Sequence, residues 1–294
     1  MPVGIDLGGT KIEAVALDDA GAEIFRERVL TPRGDYHATL AAIAGLVDHA
    51  EAVAGPQKGI GVAIPGCVSR VTGLVKNANS TWLNGKPLRQ DLEAQLRRRI
   101  ALENDANCFV MSEATDGAAA GAGLVFGVIA GTGIGGGIAA HGKLLSGPHG
   151  LTGEWGHNPL PDASAEEWAA APQCWCGKHG CIESWISGPA LSADFSGDQK
   201  LSADQIAVSD DPLAKAAIAR FTDRFARALA LVVNIVDPDV IVLGGGLSNI
   251  ASLYRDLPPL VQQHAFHVEA PPKILRNRHG DSSGVRGAAW LAPQ

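Results

Sequence analysis

Cysteine is scarce in this 294-residue chain: there are five, and three of them fall in one short stretch, "CWCGKHGCIE", Cys174 to Glu183. A basic excess is absent too. Lys and Arg number 24 against 31 Asp and Glu, for a formal net charge of −7. That excludes sequence-independent nucleic-acid binding, which needs cations over a broad surface. The one basic run, Arg97-Arg98-Arg99, follows "LRQDLEAQL" and reads as a solvated helix end. The start, "MPVGIDLGGTK", shows no basic region followed by an apolar one, so no secretory leader is read there. The longest uncharged stretch, Gly117 to Ala140, has the length of a membrane span, but nine of its 24 residues are glycine. Interior glycine costs a helix about 1 kcal/mol each, so the stretch reads as a helix end, a buried strand and a loop. A cytoplasmic protein with no membrane or nucleic-acid partner is expected. Disulfides are rare in that compartment, which points the clustered cysteines toward metal.

What is present is a soluble α/β pattern. Hydrophobic residues make up 46% of the chain, and strands alternate with helices. "VGIDLGGTKIEAVALDD" reads as a hairpin. "DYHATLAAIAGLVDHAEAVAG" carries Leu40, Ile43, Ala44 and Val47 at helical spacing, with Gly55 as a stop. "GIGVAIPG" and "IALEN" read as buried strands, the second leading into the helix "DANCFVMSEA". "LVFGVIA" and "GIAAHGKLL" flank a glycine loop as strands. "DPLAKAAIARFTDRFARALALVVNIV" is a long helix stopped by Pro238, followed by "DVIVLGGG" and, at the end, the small-residue helix "GDSSGVRGAAWLA". There is no low-complexity linker. The expected division is a first lobe of residues 1–120, with 281–294 folding back onto it, and a second lobe of residues 121–280. Cys67 and Cys108 read as small core residues.

Three glycine turns each follow an apolar strand: Asp6-Leu7-Gly8-Gly9-Thr10-Lys11, Gly131-Thr132-Gly133 and Gly244-Gly245-Gly246. Glycine lets successive backbone N–H groups converge on a phosphate. Thr10 and Thr132 add hydroxyls and Lys11 a charge. One such turn is only a turn; three point to a nucleotide. "GTGIGG" fits the dinucleotide-binding spacing, but a strand rather than a helix follows it, so that reading is rejected. A Walker A pattern is missing as well.

Asp105 lies where a strand meets a helix, in "ENDANC". It reads either as an N-cap or as a general base flanked by the amides Asn104 and Asn107, and the local sequence leaves both open. Cys174, Cys176 and Cys181 give C-x-C-x4-C, one ligand short of a tetrahedral zinc site. Two histidines lie in reach, His157 and His179. His157 is the better candidate, because His179 would have to fold back inside a tight loop that already holds three thiolates. Such a closed site is structural. It would fix Glu154 and Glu183 beside the imidazole, whose second nitrogen needs a partner such as a sugar hydroxyl.

"GIDLGGTK", "LENDANC", "GTGIGGG", "GEWGHNPL" and "CWCGKHGCIE", in this order and followed by "DVIVLGGGLSN" and "GVRGAAWL", resemble the ROK family of bacterial sugar kinases, repressors and related proteins. "KNANSTWLNG" and "HGDSSGVRGAAWL" look most like its fructokinases. The resemblance implies a two-lobed, actin-like and ribonuclease-H-like ATPase fold of hexokinase type. ATP and Mg2+ would use Asp6, Gly8, Gly9, Thr10, Lys11, Gly131, Thr132 and Gly133 near the phosphates, and Gly244, Gly245 and Gly246 near the adenosine. Asp105 would be the base. Asn79, Asn104, Asp105, Glu154, His157 and Glu183 would hold the sugar, and His157 would share a structural zinc with Cys174, Cys176 and Cys181. A homodimer is implied. The expected reaction turns D-fructose into fructose 6-phosphate. The alternatives are a glucokinase or N-acetylhexosamine kinase of the same family, or a non-catalytic sugar sensor or repressor. The last would need a DNA-binding segment ahead of the first glycine turn.

Overall fold

The computed structural model describes residues 2–56, 59–195, 201–267 and 269–293. Two compact units are present. Met1–Gly121, Gly142–Thr152 and Asp281–Gln294 form the first; Ala122–His141 and Gly153–Gly280 form the second. A division into 1–120 with 281–294 and 121–280 lacks the excursion of residues 142–152 into the first unit. His141 and Gly142 both take positive φ, 50° and 73°, where that excursion starts. Within the first unit, the excursion's Ser146 accepts a hydrogen bond from Arg70.

The first unit runs β1 (Pro2–Leu7), β2 (Lys11–Leu17), β3 (Glu23–Leu30), α1 (Tyr36–Ala54), β4 (Gly59–Ile64), β5 (Cys67–Val68), β6 (Val75–Lys76), α2 (Leu88–Leu96), β7 (Ile100–Asn104) and α3 (Asp105–Thr115). The second contains β8 (Leu124–Ala130) and β9 (Ile134–Ala140). The two-residue strand β10 (Lys143–Leu144) lies in the excursion. The second unit resumes with α4 (Ala165–Ala169), α5 (Glu183–Ile186), α6 (Gly188–Asp194), α7 (Ala203–Val208), α8 (Pro212–Val236), β11 (Val240–Gly244), α9 (Leu253–His264) and β12 (Ile274–Arg276). Helix α10 (Ser283–Leu291) returns to the first unit.

The first sheet has the order β3-β2-β1-β4-β7. The hairpin neighbours are antiparallel, and the pairs reached through a crossover, β1–β4 and β4–β7, are parallel. One face buries Val3, Ile5, Leu7, Ile60, Val62 and Ile64 against Leu40, Ile43, Leu46 and Val47 of α1. Asp35 caps that helix through the Ala38 N–H. The other face lies so close to α10 that a side chain has no room. A Cβ on Gly4 would sit 2.0 Å from the Val285 carbonyl oxygen, and one on Gly61 would sit 1.8 Å from that of Ala288. On the helix itself, a Cβ on Gly287 would meet the Cys108 carbonyl of α3 at 1.6 Å. The small-residue composition of "GVRGAAWLA" therefore reflects backbone-to-backbone packing.

Strand β3 escapes a sequence reading because it is a charged edge strand. Its Arg26 and Arg28 reach across to Glu13 of β2, which is buried, at 3.1 and 2.9 Å. The basic run is corrected in detail. Helix α2 does end at Leu96, but Arg98 pairs with Glu51 at 2.6 Å rather than standing in solvent. Cys108 is fully buried as expected, whereas Cys67 is only half-buried on β5.

In the second unit β8 pairs antiparallel with β9 and parallel with β11, and β11 pairs parallel with β12. The strand after the glycine loop begins earlier than its apolar residues suggest, at Ile134, so three glycines lie inside β9. Helix α8 buries Phe221, Phe225 and Leu229. Trp155 stacks on Phe225 and meets Phe126 edge-on. The same helix buries two arginines, whose charges are matched: Arg224 and Arg227 bond Glu167 at 2.8 and 2.9 Å. Burial alone would raise the Glu167 carboxyl, but these bonds outweigh it and hold it down to about 2. Helix α9 contains Pro258 and Pro259, which conceal it from a periodicity search.

Candidate functional site

In the first unit, the glycine turn leaves the sheet at the end of β1. The Gly8 N–H closes it on the Lys11 carbonyl at 3.0 Å. The outward carbonyls are held by side chains of a later loop: the Thr31 hydroxyl donates to the Gly8 carbonyl at 2.8 Å, and Arg33 Nε donates to that of Gly9 at 2.7 Å. Arg33 Nη2 also donates to the Thr10 hydroxyl at 2.6 Å. Thr10 and Lys11 are exposed. Asp6, at the strand end, has its carboxyl pushed up to about 7 by burial, then by the negative charges of Asp105 and Glu13. Its Oδ2 would lie 3.3 Å from a Cβ on Gly284, so the first turn of α10 also keeps space for this carboxylate.

Asp105 opens α3 and is exposed, with its Oδ1 accepting the Ala106 N–H at 2.8 Å. It is not the N-cap. That role belongs to Asn104, whose side-chain oxygen accepts the Asn107 N–H at 2.7 Å. The capping alternative for Asp105 therefore falls away, and Asn104 keeps its amide N–H2 for other partners. Asn107 donates to Glu103 at 3.1 Å. Asn79 is exposed in the loop after β6, and the next residue, Ser80, is buried beside Gly9.

In the second unit, Gly131 donates to the Gly133 carbonyl at 3.0 Å and accepts the Gly188 N–H at 2.8 Å. The third glycine turn lies beside this second one: a Cβ on Gly131 would be 3.9 Å from the Gly246 nitrogen. Gly245 takes φ 79°, and a Cβ there would strike the Ala130 carbonyl at 2.4 Å. Gly244 is the last residue of β11, and Thr132 is exposed at the tip of its turn.

The four expected metal ligands come together. The donor atoms of His157, Cys174, Cys176 and Cys181 all lie within 4.8 Å of one another. His157 turns Nδ1 to the cluster, 3.6 Å from the Cys174 sulfur, which leaves Nε2 for another partner. His179 is exposed and outside the cluster. The loop is tightened by the Cys174 N–H on the Lys178 carbonyl at 2.7 Å and by Gly177 at φ 91°. A bridge between Pro159 and Cys181 ties it to the histidine segment. Burial, then the neighbouring thiols, push the Cys181 thiol up to about 12. Three sulfurs and one imidazole nitrogen match a closed tetrahedral site.

Glu183 joins the cysteine loop to the glycine turn. One carboxylate oxygen accepts the Ile134 N–H at 2.8 Å and the other accepts the Trp175 indole N–H at 2.6 Å. A Cβ on Gly133 would lie 2.7 Å from that first oxygen. Trp175 meets the His157 ring edge-on, with centroids 4.9 Å apart. Glu154 is exposed just ahead of His157, whose N–H donates to its carbonyl at 3.3 Å. Two residues that a sequence reading misses, Arg33 and Trp175, thus hold the turns. Arg33 sits in "TPRGD", which reads as plain loop, and Trp175 is the variable residue of C-x-C.

A family model described as the ROK family matches residues 2–294. The chain is 42% identical over 299 residues to the N-acetyl-D-glucosamine kinase of Vibrio cholerae, with 99% of each chain covered. It is 42% identical over 300 residues, at the same coverage, to the N-acetyl-D-glucosamine kinase of Escherichia coli K12. Among solved structures, a ROK hexokinase from Thermus thermophilus matches with a TM-score of 0.87 at 32% identity, covering 99% of this chain and 97% of that one. A ROK glucokinase from Streptomyces griseus, in complex with glucose and AMPPNP, matches with a TM-score of 0.77 at 25% identity, covering 99% and 98%. The mixed-sheet α/β architecture is the hexokinase-type fold.

Proposed function

The chain belongs to the ROK family and is an ATP-dependent sugar kinase, and from that premise we propose that its substrate is N-acetyl-D-glucosamine. One observation supports this choice above others: the 42% identity, over 99% of both chains, to the N-acetyl-D-glucosamine kinase of Vibrio cholerae. The fructose reading drawn from Lys76 to Gly85 and the C-terminal segment gives way to it. No residue in "NANSTWLNG" supplies a physical reason to prefer a ketose, and selectivity among hexoses turns on only a few kcal/mol around one hydroxyl or substituent.

In this reading the 6-hydroxyl oxygen of the sugar attacks the γ-phosphorus, the bond to the bridging oxygen breaks and ADP leaves. Asp105 takes the hydroxyl proton. It is suited to this because it is exposed at the start of α3 while Asn104 does the capping. Phosphoryl transfer is largely positioning and charge neutralisation, which Mg2+ supplies when carried in with ATP. The backbone turns at Gly8–Lys11 and Gly131–Gly133 are assigned to the phosphates and Gly244–Gly246 to the adenosine. Asn79, Asn104, Glu154, His157 and Glu183 are assigned to the sugar. His157, Cys174, Cys176 and Cys181 suit zinc, whose part would be to hold the loop that positions His157 and Glu183.

A cytoplasmic homodimer completes the reading. Light scattering tests the assembly; among the described residues no helix is long and apolar enough to cross a membrane. The function is tested by ADP release from ATP-Mg with N-acetylglucosamine, N-acetylmannosamine, glucose, mannose and fructose. The expected result is the highest kcat/KM with N-acetylglucosamine. A higher kcat/KM with fructose would restore the fructokinase reading.

A further inference from the structure

We propose that Arg33 is a positioning residue for the phosphates of ATP, acting through the Gly9–Thr10 backbone and the Thr10 hydroxyl. The proposal rests on the kinase reading and adds to it a residue outside every glycine turn.

The geometry is a two-point clamp. Arg33 Nε donates to the Gly9 carbonyl at 2.7 Å, and Nη2 donates to the Thr10 hydroxyl at 2.6 Å. A threonine hydroxyl has one proton and can either give or receive at a given partner. A guanidinium can only give. Thr10 therefore accepts from Arg33, and its own proton is directed to some other acceptor. An anionic oxygen lying over the turn is the acceptor that fits a donor beside a positive charge. The clamp on the Gly9 carbonyl has a matching effect on the main chain. With that oxygen held by Arg33 and the Gly8 oxygen held by Thr31, the carbonyl dipoles of the turn point toward the β3–α1 loop.

The charges facing the turn support this assignment. Asp6 and Asp105 are close enough for the charge of Asp105 to raise the Asp6 carboxyl. Two carboxylates would repel a phosphate unless cations offset them. Lys11 and Arg28 already act on the Asp6 carboxyl, and Arg33 adds a cation bonded to the turn itself. Arg33, Thr10 and Lys11 are all exposed, so a ligand can reach them. As a mere surface clip, an exposed guanidinium would contribute little to stability, whereas a bound polyphosphate would cover it and strengthen the effect of its charge.

The test separates nucleotide from sugar. KM for ATP, KM for N-acetylglucosamine, kcat and calorimetric AMPPNP-Mg affinity would be measured for the wild type, Arg33→Ala, Arg33→Lys, Thr10→Val and the Arg33→Ala/Thr10→Val double variant. Arg33→Ala should weaken AMPPNP affinity and raise the KM for ATP by about 10-fold, with the KM for the sugar within about twofold. Arg33→Lys should fall between, since one ammonium keeps the charge but loses the fork. Because part of the effect of Arg33 runs through the Thr10 hydroxyl, the loss in the double variant should be smaller than the sum of the two single losses. Millimolar guanidinium should restore part of the Arg33→Ala loss. If Arg33→Ala does not fold, Arg33→Lys carries the same comparison.

Unchanged AMPPNP affinity in both Arg33 variants would overturn the proposal. Equal changes in both KM values with a lowered melting temperature would do so too, as would additive losses in the double variant. A wild type that turns over no sugar, yet loses AMPPNP affinity on removal of Arg33, would retire the kinase reading and leave this role of Arg33 standing.

Discussion

The two glycine turns assigned to phosphates are each closed by a glycine N–H on a carbonyl of the same turn, and they are held by opposite means. The turn of the first unit is gripped by a cation, Arg33, which donates to a carbonyl and a hydroxyl. The turn of the second is gripped by an anion, Glu183, which accepts the Ile134 N–H just beyond Gly133. The first arrangement leaves positive charge beside the turn. The second uses up a backbone donor and adds negative charge, and the other Glu183 oxygen is fixed by Trp175 of the cysteine loop. Turns of one composition can thus differ in electrostatic character. The first has a cation on its carbonyl side, and the second is tied through Glu183 and Trp175 to the cysteine loop.

The largest effect is expected at the proposed base. Asp105→Asn leaves both turns in place, because Asn104 caps α3. Turnover should nevertheless fall by about 100-fold or more while sugar affinity is kept; near-normal turnover would remove Asp105 from the chemistry. Next in size is loss of the proposed metal. A chelator, or Cys181→Ser, should strip the cation, read by elemental analysis, and lower sugar affinity by roughly 10- to 100-fold, while AMPPNP affinity changes far less. Sugar affinity that survives metal loss would cut the second turn's link to the loop.

Glu183→Gln is a smaller lesion in the same place. An amide can accept with one end only, so it sets a donor against either the Ile134 or the Trp175 N–H. About a 10-fold drop in kcat/KM for the sugar is expected, with metal content unchanged. The smallest effect sharpens the first turn's electrostatics. Asp6 holds its proton to about pH 7 in the folded protein, against an ordinary value of 3.8. Between these values the folded state binds more protons than the unfolded one, so stability falls as pH rises. Asp6→Asn should flatten the melting temperature between pH 4 and 7. A wild-type profile that is already flat would place the Asp6 carboxyl in its ordinary range.

Most of the architecture is readable in the chain where backbone necessity sets the residue. Gly4, Gly61 and Gly287 are glycines because α10 packs with no space for a Cβ, and the small-residue helix shows in the sequence for that reason. The cluster of His157, Cys174, Cys176 and Cys181 is legible because a tetrahedral thiolate site would impose close spacing, and loop size alone favours His157 over His179. What stays hidden depends on tertiary approach. Strand β3 is stabilised by arginines whose partner, Glu13, lies on another strand. Helix α9 carries two prolines that local rules treat as breakers. Arg33 finds Thr10 from 23 residues away, and Asn104 rather than its acidic neighbour takes the cap, a choice that helix propensity does not decide. The sugar is the least legible feature, since one substituent on a hexose leaves no mark in spacing or pattern.

A competition between two sugars decides which one the kinase prefers. Equal concentrations of N-acetylglucosamine and fructose would compete for limiting ATP-Mg, with the two sugar phosphates counted by mass. The account predicts that N-acetylglucosamine phosphate forms in large excess. A product mixture dominated by fructose phosphate would contradict it.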